Sequence, residues 1–149
     1  MEERVRGVAL PAECLDLFDR PLLASVATLL DDGSPHVTPV WIMRRGDRLL
    51  LNTATTRGKA RNLERDPRIA LCILDPDDSA RYVHVRGMAS LSTEGAREVI
   101  DELSHQYTGA DFRALLPGEA RINIVVTPHY VDYHPVHDLT KAIRVRIAD

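Results

Sequence analysis

The chain has 149 residues, 44% of them hydrophobic and 28% charged, which suits a single domain with one core and removes any need for disulfides or a structural metal. Its formal net charge of −3 argues against a general nucleic-acid binder, because phosphate backbones need many cations on one surface. The longest apolar run, nine residues over 22–30, is broken by Ser25 and Thr28 and falls short of the roughly 20 residues needed to cross a bilayer.

Glu2 and Glu3 stand where a signal peptide carries positive charge, and no apolar segment follows them. A cytoplasmic protein without a membrane partner is therefore expected. Cys14 and Cys72 lie 58 positions apart with no Cys-x-x-Cys pairing, so two buried thiols are expected rather than a disulfide framework or a zinc ribbon.

In chain order, Pro11, Ala12, Leu15, Leu17 and Phe18 predict a short helix that Pro21 ends, since proline cannot donate the next backbone bond. Residues 22–30 and 35–43 read as strands joined by Asp31-Asp32-Gly33-Ser34, whose Asp-Gly step supplies the positive φ of a hairpin. Arg44-Arg45-Gly46-Asp47 is a second turn leading into a strand over 48–53, which predicts a three-stranded antiparallel meander. The period then changes over 57–66: Ala60 and Leu63 share a helical face, Thr56 is the expected cap, and Asp66-Pro67 the stop.

Residues 69–74 and 81–91 read as strands flanking a polar loop, Asp75-Pro76-Asp77-Asp78-Ser79. Ser92-Thr93-Glu94 carries a capping signal, and Ala96, Val99, Ile100, Leu103 and Tyr107 fall on one helical stripe. A sixth strand covers 121–133, and the tail over 135–149 has no readable period. Six mostly antiparallel strands with two or three helices predict a mainly β, α+β fold, a small closed or split barrel over 1–149, rather than a doubly wound parallel sheet.

The chemistry concentrates where the helical period begins. Arg57, Lys59, Arg61, Arg65 and Arg68 face only Glu64 and Asp66, a local +3 within a chain of net −3. The first helical turn carries free N–H groups and about half a positive charge, so each cation there costs about 0.3–1 kcal/mol, and Arg57, Lys59 and Arg61 all stand at it. Their placement makes sense if an anion compensates them, and Asn52-Thr53-Ala54-Thr55-Thr56 with Arg57-Gly58-Lys59 has the composition of a phosphate cradle in which Gly58 would allow close approach. The chain has 17 arginines and two lysines, so Lys59 is an unusual choice for a merely solvated face pairing with Glu64 and Asp66, which is the competing reading.

Pro35 and Pro39 cannot both sit inside a fully bonded sheet, so one strand edge is expected to be open near Pro39, Val40 and Trp41. There the backbone can bond a ligand's polar ring edge and Trp41 can pack on a planar ring, or serve as a core residue. His129, His134 and His137 lack metal-ligand spacing, and Asp75, Asp77 and Asp78 lack the pattern of a calcium loop, so no metal site is expected and the aspartates read as a capped turn. Gly-x-Ser-x-Gly, Gly-x-Gly-x-x-Gly and Walker A patterns are absent. A phosphate cradle beside an open edge suits an organic cofactor that carries the reaction itself.

The run Ser34 to Trp41, then Asn52-Thr53-Ala54, Arg57-Gly58-Lys59-Ala60-Arg61-Asn62-Leu63, Asp66-Pro67-Arg68 and Arg86-Gly87, resembles the pyridoxamine 5'-phosphate oxidase-like superfamily. It is more closely similar to the deazaflavin branch, whose members use coenzyme F-420. The resemblance covers roughly residues 22–107 and implies a flavin-reductase-like split barrel, a homodimer with two cofactor sites at the subunit interface, and hydride transfer to an electron-poor conjugated small molecule. It implies that Arg57 and Lys59, with Asn52, Thr53 and Ala54, hold the phosphate and ribityl region, that the backbone at Pro39, Val40 and Trp41 faces the ring, and that the loop around Asp77 to Tyr82 leans over it from the partner subunit. FMN and haem are bound on the same barrel in other branches, so FMN is the alternative cofactor, and a non-catalytic carrier the alternative role. The Arg-x-Val-x-Leu-Lys pattern of FMN oxidases is absent. Tyr82, His84 and water remain open as proton donor, and spacing assigns no catalytic residue.

Overall fold

The computed structural model describes residues 6–148; Glu2 and Glu3, read above for targeting, lie outside them. Gly33, at φ 86°, closes the turn between β1 (Ala24–Leu29) and β2 (Pro35–Val40), whose register pairs Ala24 with Val40 and Leu29 with Pro35. The run expected to continue to residue 43 breaks at Trp41 and Ile42, and a separate β3 (Met43–Arg45) pairs with β4 (Arg48–Ala54). The three-stranded meander is therefore corrected: β2 and β3 lie at opposite ends of the sheet path β2-β1-β5-β6-β7-β4-β3.

The remaining strands are β5 (Arg68–Asp75), β6 (Asp78–Ser92), β7 (Arg121–His134) and β8 (Ile143–Arg146). Eight strands replace the expected six because the second run divides and the unreadable tail adds β8 along β7. The sheet is antiparallel throughout, curled but not closed, and with α1 (Leu15–Asp19), α2 (Gly58–Arg65) and α3 (Ala96–Thr108) it forms a split-barrel α+β fold. Among the described residues no helix is long and apolar enough to cross a membrane.

Side chains alternate across the strands, so β4 and β7 each serve two cores. Leu49, Leu51, Ile124 and Val126 join Phe18, Val26, Leu71 and Val85 inside the curled sheet. Leu50 and Val125 point the other way, to Val99, Ile100 and Leu103 of α3. That second core ends in an aromatic group: Trp41 stacks on Tyr107 with centroids 5.4 Å apart and meets the ring of Phe112 edge-on at 6.4 Å. The Tyr107 hydroxyl donates to the Leu22 carbonyl at 2.6 Å and accepts from the Ile42 N–H at 3.0 Å, pinning the chain where β2 gives way to β3.

Both expected helix caps are corrected. Arg57, not Thr56, is the N-cap of α2, and Gly95, at φ 67°, is that of α3; neither start has a side-chain cap bond. The Asp75–Ser79 loop is a tight turn in which Asp75 accepts from the Asp77 N–H at 2.9 Å and pairs with Arg20 and Arg81 at 3.3 and 3.1 Å. Cys14 is buried, where desolvation pushes its thiol up to about 11, but Cys72 is only half-buried on the outer sheet face, against the expectation of two buried thiols.

β6 and β7 slip register between Arg86 and Gly87, where Gly87 faces Pro128 and His129 bulges out. A Cβ on Gly87 would lie 2.2 Å from the Thr127 carbonyl oxygen, a backbone atom that cannot swing aside. Gly87→Ala is expected to destabilise the fold by about 1–3 kcal/mol, read as a lower urea midpoint; an unchanged midpoint would contradict this packing.

Candidate functional site

α2 follows β4 directly, and its burial is one-sided: Ala60 and Leu63 face the interior. Asn62, also buried, donates to Thr28 Oγ1 at 3.0 Å and so fastens the helix to β1. The helix starts without an acid in its first turn and without a side-chain cap, so its free N–H groups have no side-chain acceptor. Lys59 reaches back to β2, where its Nζ donates to Thr38 Oγ1 at 2.8 Å. Burial, and then the nearby Arg57 charge, push the Lys59 ammonium below the ordinary lysine pKa of 10.5. No carboxylate pairs with Lys59 or Arg57 among the described residues.

These cations open into a cavity of about 390 Å³. One wall is the end of β2 and the chain break, with Pro39, Val40 and Trp41; the floor is Asn52 and Thr53 of β4. Ile100 and Leu103 of α3 and Phe112 supply apolar surface, and Arg113 and Arg121 complete the far side. β2 bonds only to β1, so its outer edge is open beside this cavity.

Seven of the ten residues singled out in the sequence thus line one space: Pro39, Val40, Trp41, Asn52, Thr53, Arg57 and Lys59. Ala54 lines an adjoining cavity of about 320 Å³ that also holds Arg57, Arg113 and Arg121. Gly58 is exposed, and a Cβ there meets nothing within 4 Å, so packing within the chain does not require glycine. Tyr82 lies outside the cavity of its own chain, stacked on His134 at 4.5 Å.

Asn52 is engaged internally. Its amide nitrogen donates to the Ala96 carbonyl at 2.8 Å and to Asn123 Oδ1 at 2.9 Å, while its oxygen accepts from Arg121 Nε at 2.9 Å. It therefore holds α3 and Arg121 in place. Phe112 and Arg113 belong to no period or motif, and Arg121 is legible only as the first residue of a strand, so the sequence singled out none of the three as a site residue. The one available signal was Pro117-Gly118, a turn that brings Glu119 back to Arg113 at 2.7 Å and beside Arg121 at 3.0 Å.

A larger cavity, about 450 Å³, lies against β1, β5 and β6 and holds none of the ten residues. Its cations are already partnered, Arg68 by Asp66 at 2.7 Å and Arg86 over the Tyr130 ring at 4.4 Å, so the cavity at α2 is the better anion site. Among the described residues no group of three or more His, Cys, Asp or Glu is placed to hold a metal.

Residues 10–135 match the family model described as pyridoxamine 5'-phosphate oxidase, so the chain belongs to that family. Its fold is similar to a solved structure titled an F420 reductase, at 30% identity and TM-score 0.75, covering 82% of this chain and 98% of that one. It is also similar to a conserved hypothetical protein from Mycobacterium tuberculosis, at 23% identity and TM-score 0.71, covering 100% of this chain and 98% of that one. General Stress Protein 26 from Bacillus anthracis shares the fold at 17% identity and TM-score 0.67, covering 91% of this chain and 97% of that one.

Two held carboxylates, Glu119 beside the cavity and Asp75 at the turn between β5 and β6, make stability depend on acid. Glu119, held by Arg113 and the Leu116 N–H, falls from 4.5 to about 2, and Asp75, held by the Asp77 N–H and Arg20, falls from 3.8 to about 2. Folded values below the unfolded ones mean that their stabilisation is complete above about pH 4.5 and is lost as pH falls towards 2. Urea midpoints are expected to hold steady from neutral pH down to that window and then drop, less steeply in Glu119→Gln; a flat profile through the window would count against these pairings.

Proposed function

We propose that the protein is an oxidoreductase that binds coenzyme F-420 in the cavity beside α2 and transfers hydride between the deazaflavin and an electron-poor conjugated small molecule. The observation that carries this reading is the pair Arg57 and Lys59, without carboxylate partners among the described residues, at a helix start with no acid and no cap. That donor set fits a phosphate, which accepts from backbone N–H groups and charged side chains together. The similarity to the F420 reductase structure favours the deazaflavin over FMN.

When bound, the deazaflavin supplies a hydride donor at C5. The protein's own contribution would be to anchor and orient: Arg57 and Lys59 would hold the phosphate and the open β2 edge from Pro39 to Trp41 would face the ring, while Ile100, Leu103 and Phe112 keep that side of the cavity apolar. Reduction of a conjugated substrate by that donor would also require a proton at the position adjoining the electron-poor carbon. Tyr82 and His84 point from the same outer sheet face as Leu74 and Cys72, and water is the third candidate donor.

The working unit in this reading is a homodimer. Leu23, Val37 and Leu74 are 57%, 61% and 50% exposed, and the strand registers place them on one outer face with Ser25, Ala27, Ala70 and Cys72. Leu23 and Pro39 on that face also line the cavity, so a second copy docked there would bring its Tyr82 toward the ring. Sedimentation is expected to show a dimer that Val37→Glu dissociates; a monomeric wild-type protein would remove the shared-site reading.

Two measurements test the chemistry. With reduced coenzyme F-420, adding an enone substrate should restore the absorbance of the oxidised cofactor, and saturation by FMN but not F-420 would transfer the assignment to FMN. Lys59→Ala should weaken F-420 binding by about 1.5–3 kcal/mol, the scale of a hydrogen bond to a charged group, with little change in urea midpoint. Unchanged affinity would remove the phosphate from α2.

A further inference from the structure

The cavity is more cationic than one phosphate requires. Arg57 and Lys59 stand at the start of α2, and Arg113 and Arg121 on the opposite wall. Among the described residues one carboxylate answers the four: Glu119, 2.7 Å from Arg113 and 3.0 Å from Arg121. A phosphate monoester adds about −1.5 to −2 at neutral pH and a diester about −1, so a single phosphate at α2 leaves the far wall with unanswered positive charge.

Arg121 is built to hold its position. Its side chain is only 10% exposed, its Nε is bonded to Asn52 Oδ1 at 2.9 Å, and its guanidinium lies over the Phe112 ring at 5.0 Å. Arg113 covers the same ring at 4.8 Å. Burial, and repulsion from Arg113 and Arg57, lower the Arg121 pKa even with Glu119 beside it, so an incoming anion relieves a real electrostatic cost. The adjoining cavity of about 320 Å³ shares Arg57, Arg113 and Arg121 with the main one, which leaves room for a ligand to continue past the two arginines.

We propose that Arg113 and Arg121 form a second anion-binding subsite, so that the ligand of this cavity carries two separated anionic groups: a phosphate at Arg57 and Lys59, and a further carboxylate or phosphate at the arginine pair. The proposal rests on the phosphate-binding reading of α2 and adds a criterion for choosing between cofactors. A ligand with one phosphate fills one subsite; a ligand with a phosphodiester and further carboxylates fills both.

The test compares coenzyme F-420, which carries a phosphodiester and carboxylates, with FMN, which carries one phosphate, by titration calorimetry on the full-length protein. Arg113→Gln is the first variant because Arg113 is exposed; Arg121→Lys, which keeps the charge and loses the fork, is the second. Arg113→Gln is expected to weaken F-420 about tenfold, the loss of one charge-assisted bond, and FMN less than twofold, whereas Lys59→Gln weakens both. No change for F-420, or an equal loss for both ligands, overturns the second subsite while leaving the first intact. Should neither cofactor bind the wild-type protein, the cofactor reading fails, and a thermal-shift titration with tripolyphosphate decides the subsite alone: a shift diminished by Arg113→Gln supports it, and a shift equal in both proteins overturns it.

Discussion

Uncompensated positive charge at the uncapped start of α2 is the constraint around which this structure is arranged. The helix is locked in place from below by Leu63 in the core and by Asn62 bonded to Thr28 at 3.0 Å. That anchoring holds Arg57 and Lys59 at an end where the helix dipole disfavours them. Lys59 is additionally half-buried against Thr38, whose hydroxyl solvates the ammonium without neutralising it. The helix start therefore carries an electrostatic penalty, which the proposed phosphate would remove on binding.

The cavity exists because the sheet does not close. Trp41 and Ile42 divide the run into β2 and β3, which pair with different strands, and the Tyr107 hydroxyl takes over the Ile42 N–H that a strand neighbour would otherwise satisfy. Strands β4 and β7 each send alternate side chains into the curled sheet and under α3, so the site forms at the seam between two cores. One side of that seam is apolar and aromatic and the other is cationic, which suits a ligand with a flat ring at one end and charge at the other. Asn52 joins the two sides, because the same amide that fixes α3 at Ala96 also orients Arg121.

Much of this was legible in the chain. The Asp-Gly turn, the Ala96–Tyr107 stripe and the change of period at residue 57 depend on local geometry, and the structure contains all three. The break at Trp41 was not legible, since 35–43 reads as one strand-like run and the acceptor for the Ile42 N–H at the interruption is the remote Tyr107 hydroxyl. β8 was hidden for a related reason: its four residues become a strand by pairing with β7. The cationic half of the cavity at Arg57 and Lys59 stood out because its charges are adjacent in sequence. The half at Arg113 and Arg121 is assembled by folding, which brings Arg121 onto Asn52 across 69 positions, and no local pattern marks it.

With only Lys59 and Lys141 in the chain, the side-chain carbon signals of the lysines give a two-peak titration, and Lys141 serves as the internal reference. The decisive measurement is the pKa of the Lys59 ammonium by carbon NMR, before and after saturation with the phosphate-bearing cofactor. Lys59 is expected to titrate below 10.5 in the free protein and to rise once the cofactor's phosphate faces it. A Lys59 signal whose pKa is unmoved by a saturating cofactor would mean that the charge at α2 answers to something other than the ligand.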